Sequence, residues 1–471
     1  MSKKKKVALH NLGCKVNAYE AEAMAEKLEK NGYELVKFTD FADIYIVNTC
    51  TVTNVASRKS RQMLQRAKKV NPKAIVVAAG CYIQIAEDEK KVDHIVDVII
   101  GNNRKQDLIE ILHDLFLESK STLPEVEESE SALSEAKGNE SNLSQVKGSS
   151  FGNLDLKRTM RKEVININKT REYENLKLSK PRAHTRVNVK VQDGCNQFCA
   201  YCIIPMVRGR SRSRALEDVI EEVGRLSKSG CREVVLTGIH LSSYGIDLGG
   251  VTLLDLVKEI HQFPEIARIR LGSLEPKIIS REFVEKLSTL EKFCPHFHLS
   301  LQSGCDKILG EMNRHYTSDE YFKKCQLIRE YFKHPSITTD IIVGFPGESD
   351  EDFAVTKAFV EKVGFYETHI FKYSKREGTV AAKLPNQVSG KVKSKRSDEL
   401  NQMNIKKRKE YESYFLGKKV EVLVEGKVKV NGEEVQVGCT KEYVKIRVDS
   451  KENLKNQLIS VNIIEESQFV H

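Results

Sequence analysis

Short apolar runs alternate with amphipathic helical stretches along the first 117 residues. The runs Val7–Leu9, Ile44–Val47, Ala74–Ala79 and Val98–Ile100 read as strands. Helical spacing covers Asn17–Lys30 and Asn54–Val70, a third stretch after Ala79, and Gln106–Leu117. That rhythm predicts a doubly wound parallel α/β domain over 1–117. A second series begins with Val187–Val191 and continues with Glu233–Leu236, Arg268–Leu271, Phe297–Leu301, Thr338–Val343 and Thr368–Tyr373. Each but the last is followed by a helical pattern, so residues 181–416 predict a partial (β/α)6 barrel. A polar amphipathic helix, Lys391–Phe415, ends at Gly417. Beyond it, four short strand candidates broken by Gly426, Asn431-Gly432 and Gly438 predict a small antiparallel β-barrel of OB-like size over 417–471.

Between the two α/β units the pattern lapses. From Glu118 to about Ser150, Ser and Glu dominate, and Ser131–Gly138 is loosely repeated as Ser141–Gly148. Such a stretch buries too little apolar surface to offset its ordering entropy, so 118–180 is expected to be a linker, disordered in part. Composition narrows the class further. Across 471 residues, 40% are hydrophobic and 30% charged, which describes a soluble globular protein. No run approaches the roughly 20 apolar residues of a membrane span, and the lysine-rich start has no apolar signal region, which points to the cytoplasm. Eleven cysteines in such a chain are metal ligands or core residues rather than disulfides. The net charge of +10 is uneven, with thirteen Lys/Arg against five Asp/Glu between Lys375 and Lys419. That density suits a polyanionic partner such as RNA or, equally, a solvated helix face.

The chemistry concentrates in Cys195-Asn-Gln-Phe-Cys199-Ala-Tyr-Cys202, preceded by Gly194. Three thiolates so spaced can hold one face of a four-iron cubane and leave the fourth iron open, a vacancy that four-cysteine ferredoxin runs lack. Structural zinc is the alternative, but it is normally four-coordinate, and the next cysteine is only at Cys231. Cys14, Cys50 and Cys81 are far apart yet share a register. Each follows a strand candidate and precedes a helix, in Leu12-Gly13-Cys14, Asn48-Thr49-Cys50 and Ala79-Gly80-Cys81. The carboxyl ends of parallel strands line one sheet edge, so these thiols can converge on a second cluster. They can also be ordinary small residues at strand termini.

Several barrel strands end in small or polar residues, where a barrel places its site. Thr237-Gly238, Ser273, Glu275, Gln302 and Asp340 are candidates for contacting a cofactor's amino, carboxylate and ribose groups, or for holding strand ends. Arg208, Arg210, Arg212 and Arg214 alternate in sequence and could meet phosphates or form salt bridges. Cys231, Cys294, Cys305, Cys325 and Cys439 read as buried thiols, and His10 and His240 as packed histidines.

The two three-cysteine sets ahead of a small C-terminal barrel resemble the radical S-adenosylmethionine (SAM) methylthiotransferases. The resemblance spares only Glu118 to about Leu178. Leu12–Glu20, Asn48–Asn54, Ser57–Gln62 and Gln192–Cys195 are similar to the branch acting on threonylcarbamoyladenosine at tRNA position 37. Sister branches act on isopentenyladenosine in tRNA or on a ribosomal-protein aspartate. The resemblance implies two 4Fe–4S clusters, on Cys14/Cys50/Cys81 and Cys195/Cys199/Cys202, with SAM as co-substrate at the polar strand ends above. It also implies a C-terminal TRAM domain holding tRNA, and a small electron donor such as flavodoxin or ferredoxin. The sulfur source stays open. Met206, where Tyr is commoner, and the Ser/Glu-rich segment depart from the pattern without touching a cluster ligand.

Overall fold

The structure, a computed structural model, describes residues 4–84, 95–121, 160–180, 185–430 and 432–471. The helix expected after Ala79 and the repeats of the Ser/Glu-rich segment lie outside the described residues.

The first unit runs β1 (Lys6–Asn11), α1 (Lys15–Lys30), β2 (Glu34–Val36), β3 (Ile44–Thr49), α2 (Asn54–Val70), β4 (Ile75–Gly80), β5 (Val98–Ile100), α3 (Leu108–Ser121) and β6 (Arg161–Glu163). Its sheet has the order β2-β1-β3-β4-β5-β6 and is parallel throughout. Every residue of β3 and β4 is buried, because helices and loops cover both faces and make two apolar clusters from alternate side chains. The three-residue edge strands β2 and β6 escaped the sequence pattern. The stretch after β6 packs as well: Leu176 and Leu178 enter the barrel core beside Tyr19, whose hydroxyl donates to the Leu176 carbonyl at 2.6 Å.

The second unit continues β7 (Arg186–Asp193), α4 (Ile204–Arg208), β8 (Arg212–Ser213), α5 (Leu216–Lys228), β9 (Glu233–Gly238), α6 (Leu253–His261), β10 (Arg268–Leu271), α7 (Arg281–Ser288), β11 (His296–His298), α8 (Asp306–Glu311), α9 (Ser318–Tyr331), β12 (Ser336–Val343), α10 (Asp350–Val363), β13 (Glu367–Lys372) and α11 (Gly390–Ser413). Parallel pairing joins β7 to β9 to β10 and, separately, β11 to β12 to β13. A parallel bridge between Leu274 and Leu299 links the two halves into an open six-stranded barrel. Thr252, Thr317 and Ser349 start α6, α9 and α10 with full capping boxes, which fixes where three of the loops on the barrel turn into helix.

The third unit is an antiparallel sheet of β14 (Lys419–Val430), β15 (Glu433–Cys439), β16 (Lys445–Val448) and β17 (Leu458–Asn462), in the order β16-β15-β14-β17. Its loop between β15 and β16 plugs the amino-terminal base of the barrel. The Tyr443 ring stacks on His296 at 4.9 Å, with the Arg186 and Arg270 guanidiniums 4.8 and 4.6 Å from its centroid. Arg268 donates to the Cys439 carbonyl at 2.6 Å. The carboxyl ends of the strands, where the cysteines sit, are left for chemistry. No helix among the described residues is long and apolar enough to cross a membrane.

Candidate active site between two cysteine loops

The loop after β7 is shaped by backbone. Gly194 has φ +72°, and a Cβ there would stand 1.9 Å from the Arg210 carbonyl oxygen, so only glycine fits. Cys195 N–H donates to Gly209 O at 3.0 Å, and Cys202 N–H to Cys199 O at 3.0 Å. Ala200 N–H donates to Met312 O, and Ala381 N–H to Ala200 O, which ties the loop to α8 and to the segment after β13. The Cys199 sulfur accepts from Arg314 at 3.3 Å and the Cys195 sulfur from Gln197 N–H at 3.4 Å. Burial pushes Cys195 up to about 11 and Cys202 to about 12, and the nearby Cys199 adds to both. Half-buried thiols with N–H donors aimed at their sulfurs suit a metal cluster, which would supply the positive charge that stabilises the thiolates.

Cys14, Cys50 and Cys81 follow β1, β3 and β4, which are neighbours in the sheet. Gly13, at φ +112°, brings the first loop so close to the second that a Cβ would lie 3.1 Å from Cys50 Cβ. Asn17 locks both loops, donating to Leu12 O at 2.9 Å and Thr49 O at 3.0 Å. Desolvation raises Cys14 and burial lifts Cys50 to about 11, and charge on Cys81 would raise each further. Cys81 accepts from Arg208 Nε at 3.2 Å and from Asn102 at 3.6 Å. This donor set matches the first loop in kind, and both fit a cluster.

Arg208 connects the two. Fully buried, it reaches Glu20 at 2.6 Å, Asp193 at 3.1 Å and Asn17 at 2.7 Å, while Lys105 and Lys190 approach Glu20 at 3.2 and 2.8 Å. Arg212 donates to Arg208 O and Arg210 O, and Arg214 pairs with Glu222 beside Tyr19. These three arginines therefore form internal ion pairs and hydrogen bonds rather than phosphate contacts. Arg210 alone of the four is partly exposed, 4.5 Å from the Phe198 ring. The alternating spacing did not produce one extended face because Arg208 ends α4 before β8 begins.

A cleft of about 270 Å³ opens between the loops, lined by Val52, Thr53, Tyr201, Cys202, Gln302 and Asp340 among others. Arg376 clasps its rim, donating to Thr51 and Asn54 at 2.6 Å each. Glu275 sits between Arg314 at 2.7 Å and His240 at 3.4 Å, and His240 meets Gln197 at 3.4 Å. A polar chain thus runs from Cys199 through Arg314, Glu275 and His240 back to the cysteine loop. Gln302 takes a left-handed φ of +71°, and its N–H donates to Asp340 O at 2.8 Å. Asp340 accepts from His298 at 3.3 Å. Thr237 is buried, Gly238 is packed against Gln192, and Ser273 is exposed at its strand end. His10 packs near Phe38 as expected, whereas His240 belongs to the site. Arg314 and Asn102 were missed, because nothing local marked them; His298 opens the same strand-end run as Gln302.

The model described as Uncharacterized protein family UPF0004 matches residues 6–101, and that of the Radical SAM superfamily matches 189–360. A Bacillus subtilis relative, Threonylcarbamoyladenosine tRNA methylthiotransferase MtaB, is 34% identical over 98% of this chain and 96% of its own. The chain belongs to the radical SAM methylthiotransferase family. A second MtaB, from Aquifex aeolicus, is 39% identical over 89% of this chain and 92% of its own. A family member named tRNA-2-methylthio-N(6)-dimethylallyladenosine synthase, from Acetivibrio thermocellus, is 34% identical over 98% and 89%. Among solved structures, the radical SAM methyltransferase TsrM from Kitasatospora setae, with cobalamin and a [4Fe-4S] cluster bound, shares the fold. Its TM-score is 0.51 at 14% identity, covering 81% of this chain and 74% of that one. Membership of a radical SAM family brings a 4Fe–4S cluster and SAM with it.

Proposed function

We propose that this methylthiotransferase adds a methylthio group to C2 of N6-threonylcarbamoyladenosine at position 37 of tRNA. The observation that carries the reading is a cleft lined by Cys202 of one three-thiol loop and by Val52 and Thr53, just past Cys50 of the other. A cluster on Cys195, Cys199 and Cys202 would supply the electron for reductive cleavage of SAM, and one on Cys14, Cys50 and Cys81 the sulfur. The chain's own groups do the rest. Arg314, Arg208 and Asn102 hold the sulfurs by donated hydrogen bonds. Ser273, Glu275, Gln302 and Asp340 present polar groups at the strand ends to SAM, while the buried Thr237 and Gly238, packed against Gln192, shape the end of β9. Glu275 is already oriented by Arg314 and His240. Val52, Tyr201 and Phe371 line the cleft with apolar surface.

In this reading residues 1–117 carry the second cluster, 118–180 connect, 181–416 form the radical SAM barrel and 417–471 are the TRAM domain. tRNA lies along the exposed Lys391, Lys395, Lys406 and Lys409 of α11 and the C-terminal sheet, while Arg396 is occupied with Glu348 at 2.6 Å. Flavodoxin or ferredoxin delivers electrons in the cytoplasm. The dimethylallyl reading is supported by the Acetivibrio relative's similar identity. Reconstituted enzyme given SAM, reductant and anticodon stem-loops carrying either nucleoside separates the two by mass spectrometry of the products. A gain of the methylthio group on threonylcarbamoyladenosine alone is expected; modification of isopentenyladenosine instead would reverse the assignment.

A further inference from the structure

Three adjacent barrel strands aim His298, Asp340 and His369 at one place. In β11, β12 and β13 the side chains of Phe297, Ile337, Ile341 and Ile370 pack into the barrel's apolar core. The alternate residues therefore face the other side, where Asp340 lines the cleft. His298 stands in register with Thr338, two residues before Asp340, and Asp340 stands in register with His369. The side chains close the arrangement. His298 Nε2 lies 3.3 Å from Asp340 Oδ2, and the His298 and His369 rings are 5.5 Å apart between centroids. One ligand atom from each of the three falls within 4.8 Å of the others.

Two imidazoles and one carboxylate on one side of an ion are the facial arrangement in which first-row divalent metals keep positions open. Ligand atoms each ~2.1 Å from one ion stand roughly 3–3.5 Å apart. The His298–Asp340 separation already has that value, and His369, exposed on the edge strand β13, has room to turn its ring toward the ion. His298 Nδ1 is 2.9 Å from Thr338 Oγ1. A proton donated there leaves the Nε2 lone pair for a metal, and metal-bound imidazoles normally make that outer hydrogen bond. The cleft beside Asp340 provides the way in.

We propose that His298, Asp340 and His369 bind one divalent transition-metal ion in the wall of the cleft, and that its open positions take the carboxylate ending the N6 substituent of the target adenosine. The second half rests on the substrate reading above. Ligation through Asp340 Oδ2 leaves Oδ1 for SAM. An isopentenyl group offers the ion no donor atom, so the site separates the two nucleosides by chemistry rather than by size.

The ion is tested first without RNA. Mn2+ is titrated into the holoenzyme, with its clusters in the diamagnetic oxidised state, and the electron paramagnetic resonance signal of free Mn2+ reports uptake. Wild type should take up one ion per chain. His369→Ala should weaken uptake about tenfold or more, and His369→Asp, which keeps an oxygen ligand, should restore part of it. His369 is exposed, so neither change threatens the core, and iron content shows that the clusters are intact. A wild type without a saturable site, or equal uptake by His369→Ala, overturns the metal site. Anticodon stem-loops carrying threonylcarbamoyladenosine or its methyl ester test the second half by fluorescence anisotropy. Mn2+ should tighten binding of the acid about tenfold and leave the ester unchanged, an effect absent from His369→Ala. An equal response of acid and ester overturns the carboxylate role. A holoenzyme that methylthiolates isopentenyladenosine and not threonylcarbamoyladenosine overturns the substrate reading instead, and the titration without RNA does not depend on it.

Discussion

Replacing Arg208 with methionine removes the cation that ties α1 to the loop carrying Cys195. Its guanidinium contacts Glu20, Asp193, Asn17 and the Cys81 sulfur, all buried, so no discount for solvent screening applies. Breaking a buried pair by deleting one partner costs about 3–5 kcal/mol. Glu20 keeps Lys105 and Lys190, and Asp193 keeps Lys190 at 2.7 Å, so the lower end applies. About 3 kcal/mol corresponds to a shift of roughly 150-fold in the folding equilibrium. Arg208→Lys keeps the charge but not the fork, and should fall between. Urea unfolding followed by circular dichroism measures both. A methionine variant within about 1 kcal/mol of wild type would refute the account, since no solvated surface pair is worth more. The pH dependence supplies a second check. Burial alone would raise Glu20 and Asp193, but Arg208 and the lysines outweigh it and hold both below the usual carboxylate range. Their stabilisation is present above the ordinary carboxylate pKa and is lost as pH falls below it, so the gap between wild type and variant should narrow only below about pH 4.

Cys199→Ala should abolish SAM cleavage to 5′-deoxyadenosine, whereas Cys50→Ala should retain cleavage and yield no thiolated RNA; equal loss of cleavage in both would contradict the division between the loops. Gly194→Ala forces a side chain into the Arg210 carbonyl, at a left-handed φ that by itself costs about 1–3 kcal/mol. The expected outcome is a lower melting midpoint and less iron per chain, and an unchanged iron content would count against the loop geometry. Burial pushes the Glu412 carboxyl up to about 7, with Tyr366 donating to it at 3.2 Å. The fold therefore binds a proton that the unfolded chain has lost, and stability should decline as pH rises from about 4.5 to about 7. Glu412→Gln should flatten that slope in melting curves recorded across the range.

The parts legible from sequence are those in which a side chain's neighbours are its neighbours in the chain. Cys195, Cys199 and Cys202 share one short loop. The buried strands β3 and β4 announce themselves as unbroken apolar runs. Cys14, Cys50 and Cys81 were legible by one step more, because strands at the centre of a doubly wound sheet end on the same edge. Three-residue strands such as β2 and β6 carry too few positions for a period to show.

Amino-acid order alone thus determined the layered α/β architecture and the placing of six thiols at strand ends, through periodicity and register. Tertiary structure decided what surrounds them. Arg314 meets Cys199 across 115 residues and Arg208 meets Cys81 across 127. A buried arginine is stable only where packing delivers carboxylates to it, so no local pattern could separate these side chains from solvated or phosphate-binding ones.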